Sequence, residues 1–382
     1  MATHLAAVAS AKGQPLELRA RPTPKPGPGE LLIAVKSVAL NPADTFMRGQ
    51  GLFIQTYPTV FGFDVAGLVL EVGDAVPTQA TDDDSAPFFQ PGVSRIAAFA
   101  ASFWRSYDPD YGAFQERCLV PWQHALLLPD NGMSWNHAAT LSVSIEVPLN
   151  AWDLLGVPRI GAAGASALTN RGNQTDSVQK SEIILIWGAA SSVGTMGVQT
   201  ARLLREDPST SFAAVYAVAG SGNHSYVSSL GADRVFDYKD SQVVENIIDA
   251  VKEDGLEIRR CFLAMGELAL CQAVLKPFVG AGPEGNKATP SKIASAPVVP
   301  EDAEVIDGME TVFVFPSSRE EERLEQMRYW LGTFGRANLA KGTIKPSPEP
   351  RIVGKGLGAI NAGLDELVQG VSCTKLVVEI AE

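Results

Sequence analysis

Apolar positions along the chain fall into two styles. Up to about residue 150 they form short runs, Leu31–Val38 and Val65–Val72, rich in Val, Ile and Leu and bounded by Gly and Pro. Turn formers crowd between them: Pro22, Pro24, Pro26, Gly27, Pro28 and Gly29. This predicts a mainly β region with long loops. From about Ala151, strand-length and helix-length patterns alternate. Ile183 opens an apolar strand, followed by a helix with Val193, Met196, Thr200 and Leu204 on one face. Ala213–Ala219 and Asp233–Phe236 read as strands, and Val244, Ile247, Ile248 and Val251 mark an amphipathic helix. Arg260–Met265 is strand-like, Glu267–Lys276 helical, Lys292–Val298 and Thr311–Phe315 strand-like, and Glu320–Leu339 a long helix. Such alternation predicts an α/β doubly wound parallel sheet. Polar tracts at Thr81–Ser85 and Gly161–Lys180 read as loop insertions, and Gly280–Pro300 as a loop around one strand. After Lys345 the turn-rich style returns and ends in a strand, Lys375–Ile380.

A chain of 382 residues has room for two domains. With 46% apolar and 19% charged residues it can build sizeable cores. The net charge of −12 repels nucleic acid and anionic membranes, so neither is expected as a partner. No apolar run reaches the ~20 residues of a membrane span, and Met1–Ser10 lacks a secretory pattern, so a cytoplasmic setting is expected. Cys118, Cys261, Cys271 and Cys373 form no CxxC pair and read as free thiols. His4, His124, His137 and His224 are equally scattered, so no protein-built metal site is expected. The three aspartates Asp82–Asp84 read as a solvated loop, with a cation site as the alternative.

The stretch Ile183–Gly197 carries the clearest chemistry. Strand, small-residue turn and helix start form the geometry that cradles a dinucleotide pyrophosphate, because N–H groups and the helix dipole face the anion. Gly188, Gly194 and Gly197 keep the backbone bare where phosphate and strand approach. Ser191, Ser192, Val193 and Gly194 are the expected lining. A plain structural βα turn is the alternative.

Further residues resemble the medium-chain dehydrogenase/reductase superfamily over nearly the whole chain. Asn41-Pro42-Ala43-Asp44 is similar to its Asn-Pro-x-Asp segment, and Gly62–Gly67 to its Gly-x-Asp/Glu-x-x-Gly motif. Ala189–Gly197, Leu230–Asp233 and the C-terminal return Gly342–Pro346 and Gly356–Val378 follow in family order. The resemblance implies a GroES-like, mainly β catalytic domain from residues 1–150 and 345–382, with a Rossmann domain over 151–344. It implies the zinc-independent branch, because Asn41 and Phe63 stand where zinc members carry cysteine and histidine. Phe53–Gly67 and Gly220–Asp240 most resemble fungal trans-acting enoyl reductases.

Cofactor choice follows from the second strand. It runs into Ala219–His224 with no carboxylate to hold a ribose 2′-hydroxyl. Hydroxyls, amides and cations welcome a 2′-phosphate instead, and Ser221, Asn223, His224, Tyr238 and Lys239 supply them. NADPH is therefore expected. In related reductases the serine and the tyrosine contact that phosphate. Family position places Asn150 near the nicotinamide, where relatives carry threonine. The implied reaction is hydride transfer to the β-carbon of an enone or enoyl thioester, which requires hydrogen bonds to the carbonyl oxygen and a proton for the α-carbon. Relatives carry lysine or tyrosine where this chain has Phe46, so the obvious acid is missing. Asn41, Arg48 and Tyr57 are the candidate catalytic groups, with water as an alternative proton source.

The apolar tract Phe46, Met47, Leu52, Phe53 and Ile54 suggests a hydrophobic substrate, and the resemblance implies a secondary-metabolite intermediate carried by a polyketide synthase. Carbonyl or quinone reduction, or a cofactor-binding partner protein without turnover, are the other readings. The oligomeric expectation is a monomer, with a homodimer as the alternative.

Overall fold

A computed structural model describes residues 2–80, 86–130, 132–160, 179–280 and 290–380. The predicted insertion at 161–180 lies almost entirely outside the described residues, as does the Asp82–Asp84 run. The chain divides into two compact units, Met1–Glu146 with Ser317–Glu382, and Val147–Pro316.

The first unit is a β structure built around one long strand. β1 (Thr3–Val8) and β2 (Glu17–Pro22) pair antiparallel as a hairpin. β3 (Glu30–Ala39) pairs along its length with β4 (Asp64–Val72), which then pairs with β5 (Arg95–Phe99). The other edge of β3 is shared by two partners. β6 (Arg117–Pro121) pairs with Glu30–Ala34, and the late strand β15 (Lys375–Glu379) pairs with Ser37–Ala39. β7 (Ala125–Leu127) extends the sheet beyond β5, and β14 (Pro350–Lys355) lies parallel to β15. Leu31, Ile33, Val35 and Val38 face one core with Phe61 and Phe114, whose rings lie 5.4 Å apart. Burying such side chains stabilises by roughly 1.5–3 kcal/mol each.

The second unit is the doubly wound sheet. β8 (Glu182–Trp187), β9 (Phe212–Val218), β10 (Arg234–Phe236), β11 (Glu257–Leu263), β12 (Ser291–Ser295) and β13 (Met309–Phe313) are all parallel, in the order β10-β9-β8-β11-β12-β13. The chain therefore reverses direction across the sheet between β8 and β11, the point where such sheets bind ligands. Ile183–Trp187 is buried throughout, as a strand covered on both faces must be. The helices Ser192–Glu206 and Val243–Glu253 form as their periodicity predicts, burying Met196, Thr200 and Leu204 on the first and Ile247 and Val251 on the second.

The long helix expected at Glu320–Leu339 is present but interrupted. It runs as α-helix Glu320–Met327, π-helix Arg328–Gly335 and α-helix Arg336–Lys341. Its apolar residues Trp330 and Leu331 are fully buried, and it belongs to the first unit. A Cβ on Gly335 would lie 3.2 Å from Leu126 and 3.4 Å from Ile145. The change of unit thus falls near Ser317, well before residue 345. Helical periodicity reports that a face is buried, not which core receives it. Among the described residues, no helix is long and apolar enough to cross a membrane.

Close packing of β3 on β4 depends on Gly67, where a Cβ would come within 2.3 Å of the Ala34 carbonyl oxygen. Replacing Gly67 by Ala is expected to lower unfolding stability by about 1–3 kcal/mol, the usual cost of overpacking. Denaturant titration checks this, and an unchanged midpoint would contradict the packing described.

Candidate active site and cofactor cradle

In the second unit, β8 ends at Trp187 and the chain turns on Gly188, at φ +78°. A Cβ there would lie 2.5 Å from the Met265 carbonyl oxygen, so the turn sits hard against the end of β11. Ser191 caps the helix, its Oγ accepting the Gly194 N–H at 3.1 Å. A Cβ on Gly194 would come within 2.2 Å of the Gly188 carbonyl oxygen, and one on Gly197 within 3.0 Å of the Phe262 ring. Each glycine thus clears a different neighbour. The N–H groups of Ser192 and Val193 belong to the first helical turn, where no intrahelical acceptor exists. A bare turn ending in such donors fits a dinucleotide pyrophosphate.

The end of β9 gathers the other predicted residues. Gly220 leads into a short turn, Ser221–Asn223, and the helix His224–Leu230. His224 is folded back, its Nε2–H donating to the Ala219 carbonyl at 3.0 Å. Tyr238 is half exposed, and its ring would lie 3.3 Å from a Cβ on Gly220, so the bare glycine makes room for it. The Lys239 ammonium lies 5.8 Å from the Tyr238 ring centre. Ser221, Tyr238 and Lys239 therefore share one rim. No sequence signal points to Asp237, which directly follows β10 rather than β9. Its carboxylate accepts the Lys239 N–H at 3.0 Å and the Ser221 N–H at 3.3 Å. Those bonds, the Lys239 N–H foremost, hold it below the usual carboxylate range. Asn150 is buried on the helix Ser142–Leu154, two residues beyond Pro148.

In the first unit the two motif aspartates meet. Asn41 caps the helix Pro42–Gln50, and its backbone N–H donates to Asp44 at 2.7 Å while Asp44 N–H returns a bond to the Asn41 carbonyl. Asn41 Nδ2 donates to Asp64 at 3.1 Å, and Lys375 Nζ donates to Asn41 Oδ1 and lies 3.1 Å from Asp64. Ser142 Oγ and the Val143 N–H complete the shell of Asp64 at 2.5 and 2.8 Å. Asp44, Asp64, Asn41 and Lys375 are all buried. The second oxygen of Asp44 has no donor among the described residues. Burial pushes the Asp44 carboxyl up to about 7, against the pull of the Asn41 N–H and Lys375. Lys375 and Ser142 gave no motif signal; a lysine opening an apolar strand was the only hint.

Other candidates are placed differently. Arg48 is spent on the helix Ala359–Val368, donating to the Asn361 carbonyl at 3.1 Å and to Asp365. It ties two helices together and is not an open donor, which corrects the expectation for it. The Tyr57 hydroxyl is buried with no partner among the described residues and would lie 2.9 Å from a Cβ on Gly51. Phe46 is 46% exposed on the first helix, and Phe63 packs 5.5 Å from Phe99. His4 and His124 serve the packing: His4 pairs with Gln115 at 2.9 Å, and His124 with the Phe99 carbonyl at 3.1 Å. Cys118, Cys261 and Cys271 are buried free thiols, while Cys373 is half-buried.

Residues 27–130 match the alcohol dehydrogenase GroES-like domain. The trans-enoyl reductase tndF of Aspergillus flavipes is 36% identical over 378 residues, 99% of each chain. The trans-enoyl reductase tazE of Aspergillus terreus is 38% identical over 320 residues, covering 84% of this chain and 94% of that one. The fold is shared with an alcohol dehydrogenase superfamily protein of Novosphingobium aromaticivorans, at a TM-score of 0.71 and 19% identity over 99% of this chain and 100% of that one. The chain belongs to the family of these fungal trans-enoyl reductases, within the medium-chain dehydrogenase/reductase superfamily. It is an oxidoreductase of the kind that uses a nicotinamide cofactor.

The Asp44 shift has a sign that can be checked. Its folded pKa lies above the unfolded value near 4, so the folded state holds the proton more tightly. The burial cost is absent below pH 4, grows between pH 4 and 7, and is complete above 7. An Asp44→Asn variant should therefore gain stability relative to the parent as pH rises from 5 to 8, by on the order of 2–4 kcal/mol at most. Urea titrations at both pH values read this difference; a constant gap would show that Asp44 does not titrate there.

Proposed function

We propose that the protein is a zinc-independent, NADPH-dependent reductase of an activated C=C bond, acting on a hydrophobic enone or enoyl thioester. The observation that carries this is the bare glycine cradle followed by the Ser221, Tyr238 and Lys239 rim, in a chain whose relatives are named trans-enoyl reductases. When bound, NADPH would supply the hydride. Ser192 and Val193 offer backbone N–H groups to the pyrophosphate, and Gly194 keeps its approach clear. Ser221 and Tyr238 offer hydroxyls and Lys239 an ammonium to the 2′-phosphate, with Asn223 and His224 beside them. Asn150 offers its side-chain amide to the nicotinamide carboxamide.

Of the three candidate catalytic groups, Tyr57 retains an unspent hydroxyl and is assigned to the developing oxyanion. Asn41 and Arg48 act as positioning residues, because their side chains are committed to Asp64 and Lys375, and to Asn361 and Asp365. Zinc independence is supported by Asn41 and Phe63, which stand where zinc members of the superfamily carry cysteine and histidine. A monomeric state, a cytoplasmic setting and a substrate delivered by a polyketide synthase belong to the same proposal. Phe46, exposed where related reductases carry a proton donor, favours one second reading: a cofactor-binding partner protein without turnover.

Fluorescence titration with NADPH and NADH tests the cofactor assignment. NADPH is expected to bind more tightly, and Ser221→Ala with Tyr238→Phe should weaken NADPH about tenfold while leaving NADH unchanged, as expected for lost charge-assisted hydrogen bonds. Equal binding of both cofactors would overturn it. Turnover of NADPH with enones and enoyl thioesters tests the reaction, and its absence with tight cofactor binding would favour the partner-protein reading. In a turning-over enzyme, Tyr57→Phe should lower kcat by about tenfold or more without changing NADPH affinity; an unchanged kcat would assign the oxyanion and its proton to water.

A further inference from the structure

One methionine stands apart from the others. Met47, Met196 and Met327 are fully buried, and Met133 and Met309 are half-buried. Met265 is 48% exposed. A single exposed apolar side chain is ordinary. The place of this one is not.

Met265 lies two residues beyond β11, the strand that neighbours β8 in the parallel sheet. The strand order reverses between these two, and ligands bind such sheets outside the strand ends at that point. The Ala264 and Met265 N–H groups both donate to the Trp187 carbonyl, at 2.9 and 3.3 Å, which ties the end of β11 to the end of β8. Gly266 then turns at φ +124°, where a Cβ would lie 2.8 Å from the Trp187 ring. The backbone is therefore held on both sides of Met265. A Cβ on Gly188 would fall 2.8 Å from the Met265 Cβ. The exposed side chain thus starts beside the residue on which the pyrophosphate turn pivots.

Two surfaces meet there. Backbone N–H groups at the helix start suit an anion, and a thioether suits the apolar face of a sugar or a ring. A dinucleotide carries both, joined to one another. Sulfur also brings reactivity. With a hydroperoxide such as hydrogen peroxide, the thioether gives an electron pair to one peroxide oxygen. The S–O bond forms as the O–O bond breaks, and the other oxygen leaves as water with both peroxide protons. The product is a polar sulfoxide. At Met265 it would set an electron-rich oxygen beside a turn built for phosphate.

We propose that Met265 is an apolar shelf of the cofactor site and an oxidation-sensitive one, its conversion to the sulfoxide lowering affinity for the cofactor. The inference rests on the cofactor reading given above.

Peroxide treatment followed by peptide mass spectrometry tests it. In the free protein, Met265 should gain one oxygen ahead of the other described methionines. Saturation with NADP+, which peroxide does not consume, should slow that gain several-fold. The oxidised protein should bind NADPH roughly tenfold more weakly, the effect of one unpaired polar group pressed against the ligand. In Met265→Leu, the NADPH affinity read before and after the same treatment should not change, which separates Met265 from Cys373 and the half-buried methionines. The protection measurement uses the parent chain and stands even where the variant fails to fold. Unslowed oxidation of Met265 under saturation, an undiminished affinity after oxidation, or an equal loss in Met265→Leu overturns the inference and leaves the cofactor assignment standing. Untreated protein that binds neither NADPH nor NADH overturns the assignment, and this inference with it.

Discussion

The first unit is organised around one buried carboxyl group. Asp64 receives Asn41 from the start of the first helix, Ser142 and Val143 from the start of another, and lies 3.1 Å from the ammonium of Lys375 on β15. Three segments far apart in sequence converge on its two oxygens. A buried charged group is costly unless each of its contacts is supplied, and removing one partner of such a pair typically costs about 3–5 kcal/mol. The network is therefore a constraint on the whole unit: each segment must arrive in register for the others to be tolerated. The flanking glycines serve the same end. Gly62, at φ +101°, lies against the Phe114 ring, and Gly67 against the Ala34 carbonyl. The motif Gly62–Gly67 holds two close approaches and one acid, each with its own physical reason.

The second unit solves a simpler problem. Its parallel sheet is covered by helices, and the central strands β8 and β9 read as apolar runs because both faces are buried. The binding geometry then needs only a tight exit from β8. Gly188, Gly194 and Gly197 clear Met265, the Gly188 carbonyl and Phe262 respectively. The cradle is thus a consequence of packing as much as of ligand chemistry, which is why such a turn alone says little and the rim at Ser221 and Tyr238 says more.

Strands and most helices were legible because burial imposes a period on the sequence. Leu31–Val38 and Val65–Val72 sit inside β3 and β4, and the helix faces of Met196 and Ile247 are buried as their spacing requires. Placement was less legible than existence. Nothing in Glu320–Leu339 states that Trp330 enters the core of the first unit, or that a π-helical segment interrupts the run. Polar roles were the least legible. Arg48 looked available because sequence shows a cation but not the Asp365 that claims it. Asp237 escaped notice because it follows β10 and reaches the Ser221 N–H, beyond the end of β9, only through the fold. Asp44 and Asp64 were each visible in a motif, but Lys375, over three hundred residues from either, was joined to them only by the fold.

That long reach has a consequence for how the chain is made. The second unit is one continuous stretch, Val147–Pro316, and its strands meet partners that lie close in sequence. The first unit is not. β3 is synthesised early, but the part of its edge at Ser37–Ala39 waits for β15, and Asp64 waits for Lys375. During synthesis on the ribosome, the middle of the chain can close its core while the earlier part still presents an open strand edge and an unanswered buried acid. The protein is completed from the inside of its sequence outward, and β3, one of its earliest strands, is among the last to be sealed.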